Sequence, residues 1–479
     1  MKKILVLVLT SALLASLCAC ASGSKNSNDP LAQLKDGQIM VGYARADITP
    51  EESVPMGSYG NSLQHMSEGF RDYLYLTCIY FTDKDGNSAA VIALDIGGCG
   101  GSFILSAREE AAAHLGLPTD RVVFTASHTH EAPDTAANHP NIARWQAQFK
   151  TAMFDALDRA VADQAPAEIE INSAMTERLT FVRRYELEGG IFVGYESDIT
   201  ESGLAVVGHE TEADGQIQMV KFNRGEDKTD ILLANFQAHP HLGGGSDNRQ
   251  LSADFVGAFR DEVQKSLGYD VIYITGAAGN LNTYSFIPGE QLTNDYREHG
   301  KLLAKYVINA EDSYQKVNGG KVQMATANYV GEVDHSLDHM VPVAQDALNY
   351  YAETNSISAV REKYHSQGIN SPNHANMIIN RSSKTSWPFD IWALSIGDVA
   401  FAVAPYEMFD TQGMFIKENS PYAMTVITTC ANRAFGYIPS KAACEHGGYE
   451  ADNTYFVPGA AETLADMYIE LLNGLHPDR

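Results

Sequence analysis

Two short runs in this 479-residue chain are almost wholly apolar, and both lead into histidines. Val122-Val123-Phe124-Thr125-Ala126 precedes Ser127-His128-Thr129-His130, and Ile231-Leu232-Leu233-Ala234-Asn235-Phe236 precedes Gln237-Ala238-His239-Pro240-His241. Runs of this length without polar alternation read as strands buried on both faces, so layers of structure must lie above and below them. A helical stretch over 103–115, capped by Ser102 and stopped by Gly116, comes before the first; a helical pattern over 254–267 and a strand over 271–275 come after the second. Both therefore read as crossovers of an α/β sheet, which places ligands beyond such strand ends. In an extended strand alternate side chains share a face, so His128 and His130 would sit on one side, about 6.6 Å apart along the chain.

The remaining pattern predicts mixed sheets flanked by helices in a single large domain, since no long low-complexity linker divides the chain. A first strand covers 39–44, and a glycine-rich loop follows at 55–60. Strands over 75–82 and 89–94 bracket Asp85-Gly86 as a hairpin. Trp145, Phe149, Met153, Leu157 and Val161 make one apolar stripe on a helix over 142–165. Gly276 to Asn282 is a tight loop whose amides could approach a ligand. Periodicity is poor over 325–386, which reads as surface segments with an irregular loop near 368–374. A hairpin over 391–396 and 399–404, with Gly397-Asp398 in its turn, then runs into Pro405-Tyr406-Glu407. A strand over 425–429 and an amphipathic helix over 460–473, stopped by Gly474, complete the chain.

Residues 1–19 read as a signal peptide of lipoprotein type: Lys2-Lys3, an apolar run over 4–17, then Cys20 as the lipid-modified residue that would anchor the chain to a membrane outside the cytoplasm. A flexible tether over 20–37 would hold the 38–479 domain off that membrane. With a formal net charge of −26, nucleic acid is excluded as a partner. Beyond the leader only Cys78, Cys99, Cys430 and Cys444 remain, without a Cys-x-x-Cys pair; this argues against a cysteine zinc site and leaves any pairing open.

His128, His239 and Glu407 all fall at strand ends, and together they would form the two-nitrogen, one-carboxylate set of a catalytic zinc site with an open position. The order of the short motifs resembles the neutral ceramidase family: Asp47-Ile48-Thr49-Pro50, Met56-Gly57-Ser58-Tyr59-Gly60, Ser127-His128-Thr129-His130, Ala238-His239-Pro240, Ser252-Ala253-Asp254-Phe255, Pro405-Tyr406-Glu407, Gly436-Tyr437 and Tyr449-Glu450. The resemblance implies that His128, His239, Glu407 and Tyr437 hold Zn2+, while His130, Tyr449 and an arginine, Arg183 or Arg184, polarise the substrate. It also implies a small-molecule or lipid-like N-acyl substrate and cleavage of its amide bond. Asn282 stands where the family carries a serine, so attack by metal-bound water replaces an acyl-serine route, with Asn282 as an oxyanion donor. The family's C-terminal immunoglobulin-like domain has no counterpart in the sequence. Two alternatives stay open: a zinc lipoprotein that binds without turnover, and a zinc hydrolase acting on an ester or carbohydrate.

Overall fold

A computed structural model describes residues 30–58, 61–245 and 248–476. The expected leader, Cys20, the tether up to residue 29, and Tyr59-Gly60 of the glycine-rich loop lie outside the described residues. The remainder of the tether is not featureless, because Pro30–Gln33 forms a 3-10 turn that leads into the first strand, Gln38–Asp47.

The larger sheet runs, in spatial order, Asp270–Thr275, Ile231–Phe236, Gln216–Asn223, Ala165–Met175, Gln38–Asp47, Tyr75–Thr82, Ser88–Leu94 and Val122–Ala126; Gln315–Val317 adds to the Ala165–Met175 strand. Its central pairings are antiparallel. The outermost pair at each edge is parallel, and each is joined through a helix, Ser102–Leu115 at one edge and Asp254–Leu267 at the other. The smaller sheet comprises Val322–Glu332, Ser386–Ile396, Val399–Val403 and Met424–Thr428, the last two parallel.

Side-chain alternation shows how these parts stack. On Ile231–Phe236, Ile231 and Leu233 pack toward the smaller sheet, whereas Leu232, Ala234 and Phe236 pack under helices Asp254–Leu267 and Tyr296–Asn309. On Val399–Val403, the odd-numbered side chains meet the larger sheet and Ala400 and Ala402 meet the final helix, Ala460–Leu475. The result is four layers, helix, sheet, sheet, helix, with the apolar runs buried on both faces as their composition requires.

The two edges of the larger sheet are stitched to each other. Thr275 Oγ1 donates to the Ser127 carbonyl at 2.8 Å. The chain leaving Met424–Thr428 then bonds both edges: Thr429 N–H to the Thr275 carbonyl, Asn432 N–H to the Phe124 carbonyl, and Phe124 N–H back to Asn432 Oδ1. This closure brings the carboxyl ends of the two parallel pairs to one place, although they start at opposite edges.

Several local expectations are corrected. Gly101, at φ 82°, precedes the first helix and no side chain caps it; Ser102 is its first residue. The long helix spans Pro140–Ala162, and Val161 drops out of the buried stripe at 40% exposure. The stretch read as irregular holds one edge strand and the helices Val341–Thr354, Ile357–Tyr364 and Pro372–Ser382 around their own small core of Ala344, Ala347, Val360, Tyr364, Ala375 and Ile378. That core is small, and alanines and tyrosines make up much of it beside Val360, Ile369 and Ile378, so the apolar stripe of each helix is short. Among the described residues no helix is long and apolar enough to cross a membrane.

Candidate metal centre

The Val122–Ala126 strand ends two residues before His128, whose φ of 67° lies in the left-handed region that side chains other than glycine seldom adopt. Strand alternation therefore does not aim the pair, and a turn does: the rings of His128 and His130 sit 5.2 Å apart and nearly perpendicular. His128 Nδ1 is held on the Gly97 carbonyl, with Cys430 Sγ 3.6 Å away. His239 is fixed to the Leu281 carbonyl both by Nδ1, at 2.9 Å, and by its own N–H, at 3.2 Å. An imidazole whose Nδ1–H is taken by a carbonyl presents its Nε2 lone pair on the opposite side.

Both Nε2 atoms converge on Glu407 Oε2, at 3.4 Å from His128 and 3.3 Å from His239. All three atoms are buried without a hydrogen-bond partner. Buried polar atoms are seldom left unsatisfied, and two lone pairs and a carboxylate oxygen facing one point form a donor set that suits a divalent cation. The ligand nitrogens of His128, His130 and His239 also lie within 4.8 Å of one another, so a third imidazole is close enough to join.

Glu407 and Tyr437 face each other in a two-residue parallel ladder, which is how segments thirty residues apart deliver a carboxylate and a phenol to the same spot. Burial, together with Glu407, pushes the Tyr437 phenol well above its ordinary pKa, with Arg183 opposing. The Arg183 guanidinium lies 5.3 Å from the Tyr437 ring and 5.5 Å from the Tyr449 ring. It donates to Glu450 Oε1 at 2.7 Å and to the Gly279 carbonyl at 2.8 Å. Arg184 points elsewhere: only 2% exposed, it pairs with Glu210 and Glu450 and donates to the carbonyls of Ala443 and Gly447, so it braces the loop that carries Tyr449. Neither arginine is a solvated surface group.

A cavity of about 720 Å³ adjoins this cluster, lined among others by His130, Arg183, His241, Tyr284, Tyr437 and Tyr449. Burial and the neighbouring imidazoles hold His130 well below the usual histidine range, and burial, then Arg183, brings His239 down to about 4. Both rings thus favour the neutral form that metal binding requires, whereas Cys430 and Glu407, against burial, draw His128 well above the ordinary histidine value.

Asn282 is buried beside Leu281, paired with Phe181 in a short ladder, and its Oδ1 has no partner; it is not among the residues lining the cavity. The loop before it does not offer its amides to a ligand. Gly279 N–H donates to the Met408 carbonyl, and a Cβ at Gly279 would lie 2.7 Å from the Glu407 carbonyl oxygen, so the loop supports the carboxylate from behind. Cys78, Cys99, Cys430 and Cys444 are all free thiols. His241, named in the sequence as part of a strand end but given no role, and Tyr284, not named there, are added by the structure, and His239-Pro240-His241 repeats the His-x-His spacing of the first strand end.

No protein-family model matches the chain, and no curated protein matches it by sequence. Solved structures do match. The crystal structure of neutral ceramidase from Pseudomonas aeruginosa superposes with a TM-score of 0.66 at 15% identity, covering 92% of this chain and 75% of that one. A ceramidase complexed with C2 superposes at 0.67, again with 15% identity, over 91% and 75%. The chain has a neutral ceramidase-like fold. In this ceramidase-like architecture the stitched edges, together with the ladder of Glu407 and Tyr437, bring the candidate ligands together.

Proposed function

We propose that the chain is a zinc-dependent hydrolase that cleaves the amide bond of an N-acyl substrate, a reading supported by the ceramidases among its structural neighbours. The observation that carries the reading is the meeting of His128 Nε2, His239 Nε2 and Glu407 Oε2, three buried atoms with no hydrogen-bond partner. Two nitrogens, a carboxylate and the adjacent Tyr437 phenol suit zinc better than magnesium or calcium, which take oxygen ligands. When bound, such an ion supplies Lewis acidity and acidifies water.

The chain's own groups do the rest. Arg183, its fork fixed by Glu450 and Gly279, holds the substrate carbonyl or its neighbour against the ring faces of Tyr437 and Tyr449. Neutral His130 accepts a proton from the attacking water and returns it to the departing amine, and Tyr449 donates to the oxygen that gains charge. Asn282, which has no hydroxyl, forms no acyl intermediate. The reading includes an extracytoplasmic site of action with a lipid on Cys20, which palmitate labelling lost in Cys20→Ala would check.

Metal analysis of the purified protein is the deciding experiment. About one zinc per chain is expected, lost in the His128→Ala/His239→Ala variant, together with chelator-sensitive release of amine from N-acyl compounds. A protein that holds no metal, or a double variant that keeps it, ends the reading.

A further inference from the structure

Resting on that reading, we infer that the amide cleaved here is small and polyhydroxylated on its amine side, with a short acyl group, in the manner of an N-acetylated amino sugar, and is not a long-chain lipid amide. A fatty chain is bound by the apolar surface it covers. Among the described residues lining the cavity, Leu242 is the single aliphatic side chain, and the rest of the apolar surface is largely the ring faces of Tyr195, Tyr284, Tyr437 and Tyr449, which suit a stacked sugar ring better than a flexible chain.

The wall carries instead a string of polar groups leading away from the metal ligands. The His130 ring lies 5.2 Å from that of His241, which lies 5.2 Å from that of Tyr284. The Tyr284 hydroxyl donates to a carboxylate oxygen of Glu196, itself part of the lining. His241 Nε2 is buried and has no partner in the protein, and Ser58 and Asn294 add a hydroxyl and an amide. Beyond His130, neither the proposed metal ligands nor Arg183 needs this string. A hydroxyl-rich ligand would pair with His241 Nε2 and extend the Tyr284–Glu196 bond, since each hydroxyl both donates and accepts, whereas an alkyl chain would leave His241 Nε2 buried and unpaired. Sites built of hydrogen-bonding groups discriminate steeply against ligands that lack the matching hydroxyls. Glu196 also disfavours an anionic amine side. The reaction balances without further reactants: water adds across the C–N bond, giving a short carboxylic acid and the free amine with its proton.

The test measures amine release by the zinc-loaded protein from an N-acetylated amino sugar, from an unsubstituted N-alkyl acetamide, and from long-chain N-acyl sphingosine in mixed micelles. The sugar amide is expected to lead the other two by roughly 100-fold in kcat/KM. Tyr284→Phe and Glu196→Gln should each reduce that lead roughly tenfold through KM, with kcat and zinc content kept. Calorimetry on metal-free protein gives a second readout: the sugar amide binds, and Tyr284→Phe weakens the binding. Faster turnover of the sphingosine amide overturns this inference and leaves the amidase reading standing. Failure of all three amides overturns the amidase reading, and absence of sugar-amide binding in the calorimeter then overturns this one as well.

Discussion

The two edges of the larger sheet carry the same device in different versions. Each ends a parallel pair in His-x-His, each fixes its first histidine on a backbone carbonyl, Gly97 for His128 and Leu281 for His239, and each sends its second, His130 or His241, to line the cavity. The His130 N–H even donates to the Pro240 carbonyl, joining one device to the other at 3.1 Å. The spacer differs. Thr129 is buried and its hydroxyl donates to the Ser252 carbonyl at 2.7 Å, whereas Pro240 has no N–H to satisfy. The left-handed backbone of His128 needs such anchoring, and the proline holds its own φ without it. Two routes, one hydrogen-bonded and one conformational, thus bring equivalent imidazoles to the same point.

If the first histidines are equivalent, His128→Ala and His239→Ala should each release the ion and lower turnover by at least a thousandfold, read by metal analysis and rate. Unequal metal loss would break the equivalence. The second histidines should differ: His130→Ala is expected to cost roughly 100- to 1000-fold in kcat with the ion retained, and His241→Ala mainly raises KM.

Acid should separate the edges too. His299, on Tyr296–Asn309 against Phe255, is fully enclosed and burial pushes it down to about 3, whereas His114 on the first edge's helix is exposed. An unfolded histidine titrates near 6.5, so the depressed group stabilises the fold above that pH, and this contribution is lost as pH falls from about 6.5 toward 3. Hydrogen exchange should show Tyr296–Asn309 opening before Ser102–Leu115 as pH drops, with a loss on the order of 3 kcal/mol that His299→Leu abolishes. Thr129→Val should cost about 1–3 kcal/mol of thermal stability by leaving a buried carbonyl unpaired, with no parallel cost for Pro240→Ala. Smallest of all, Asn282→Ala should change turnover less than tenfold; a loss beyond the roughly 100-fold of an oxyanion donor would give Asn282 a larger part in the chemistry.

The apolar runs before His128 and His239 were legible because strands covered on both faces cannot alternate, and the hairpin before Glu407 was legible from Gly397-Asp398. What surrounds them was not. The turn at His128 leaves no glycine as a marker, and Arg183 and Arg184 read alike, both pairing with Glu450, until Glu210 singles out Arg184. The helices over 341–382 share one small core in which alanines and tyrosines stand beside a few branched residues, so each apolar face is too short to register. Support for the ligands comes from carbonyls at 97 and 281 and a close backbone approach at Gly279, none of which a side-chain pattern encodes.

The stitch between Phe124 and Asn432 spans 308 positions of sequence and bears on the order of assembly. Contacts this distant form late, since the entropy of closing the loop must be met before they contribute. A chain that folds from its N-terminus would present His128 and His239 long before Glu407 and Tyr437 exist beside them. On the proposed metal reading, full affinity then arrives only with the last third of the polypeptide, so loading of the ion would report completion of folding rather than guide it.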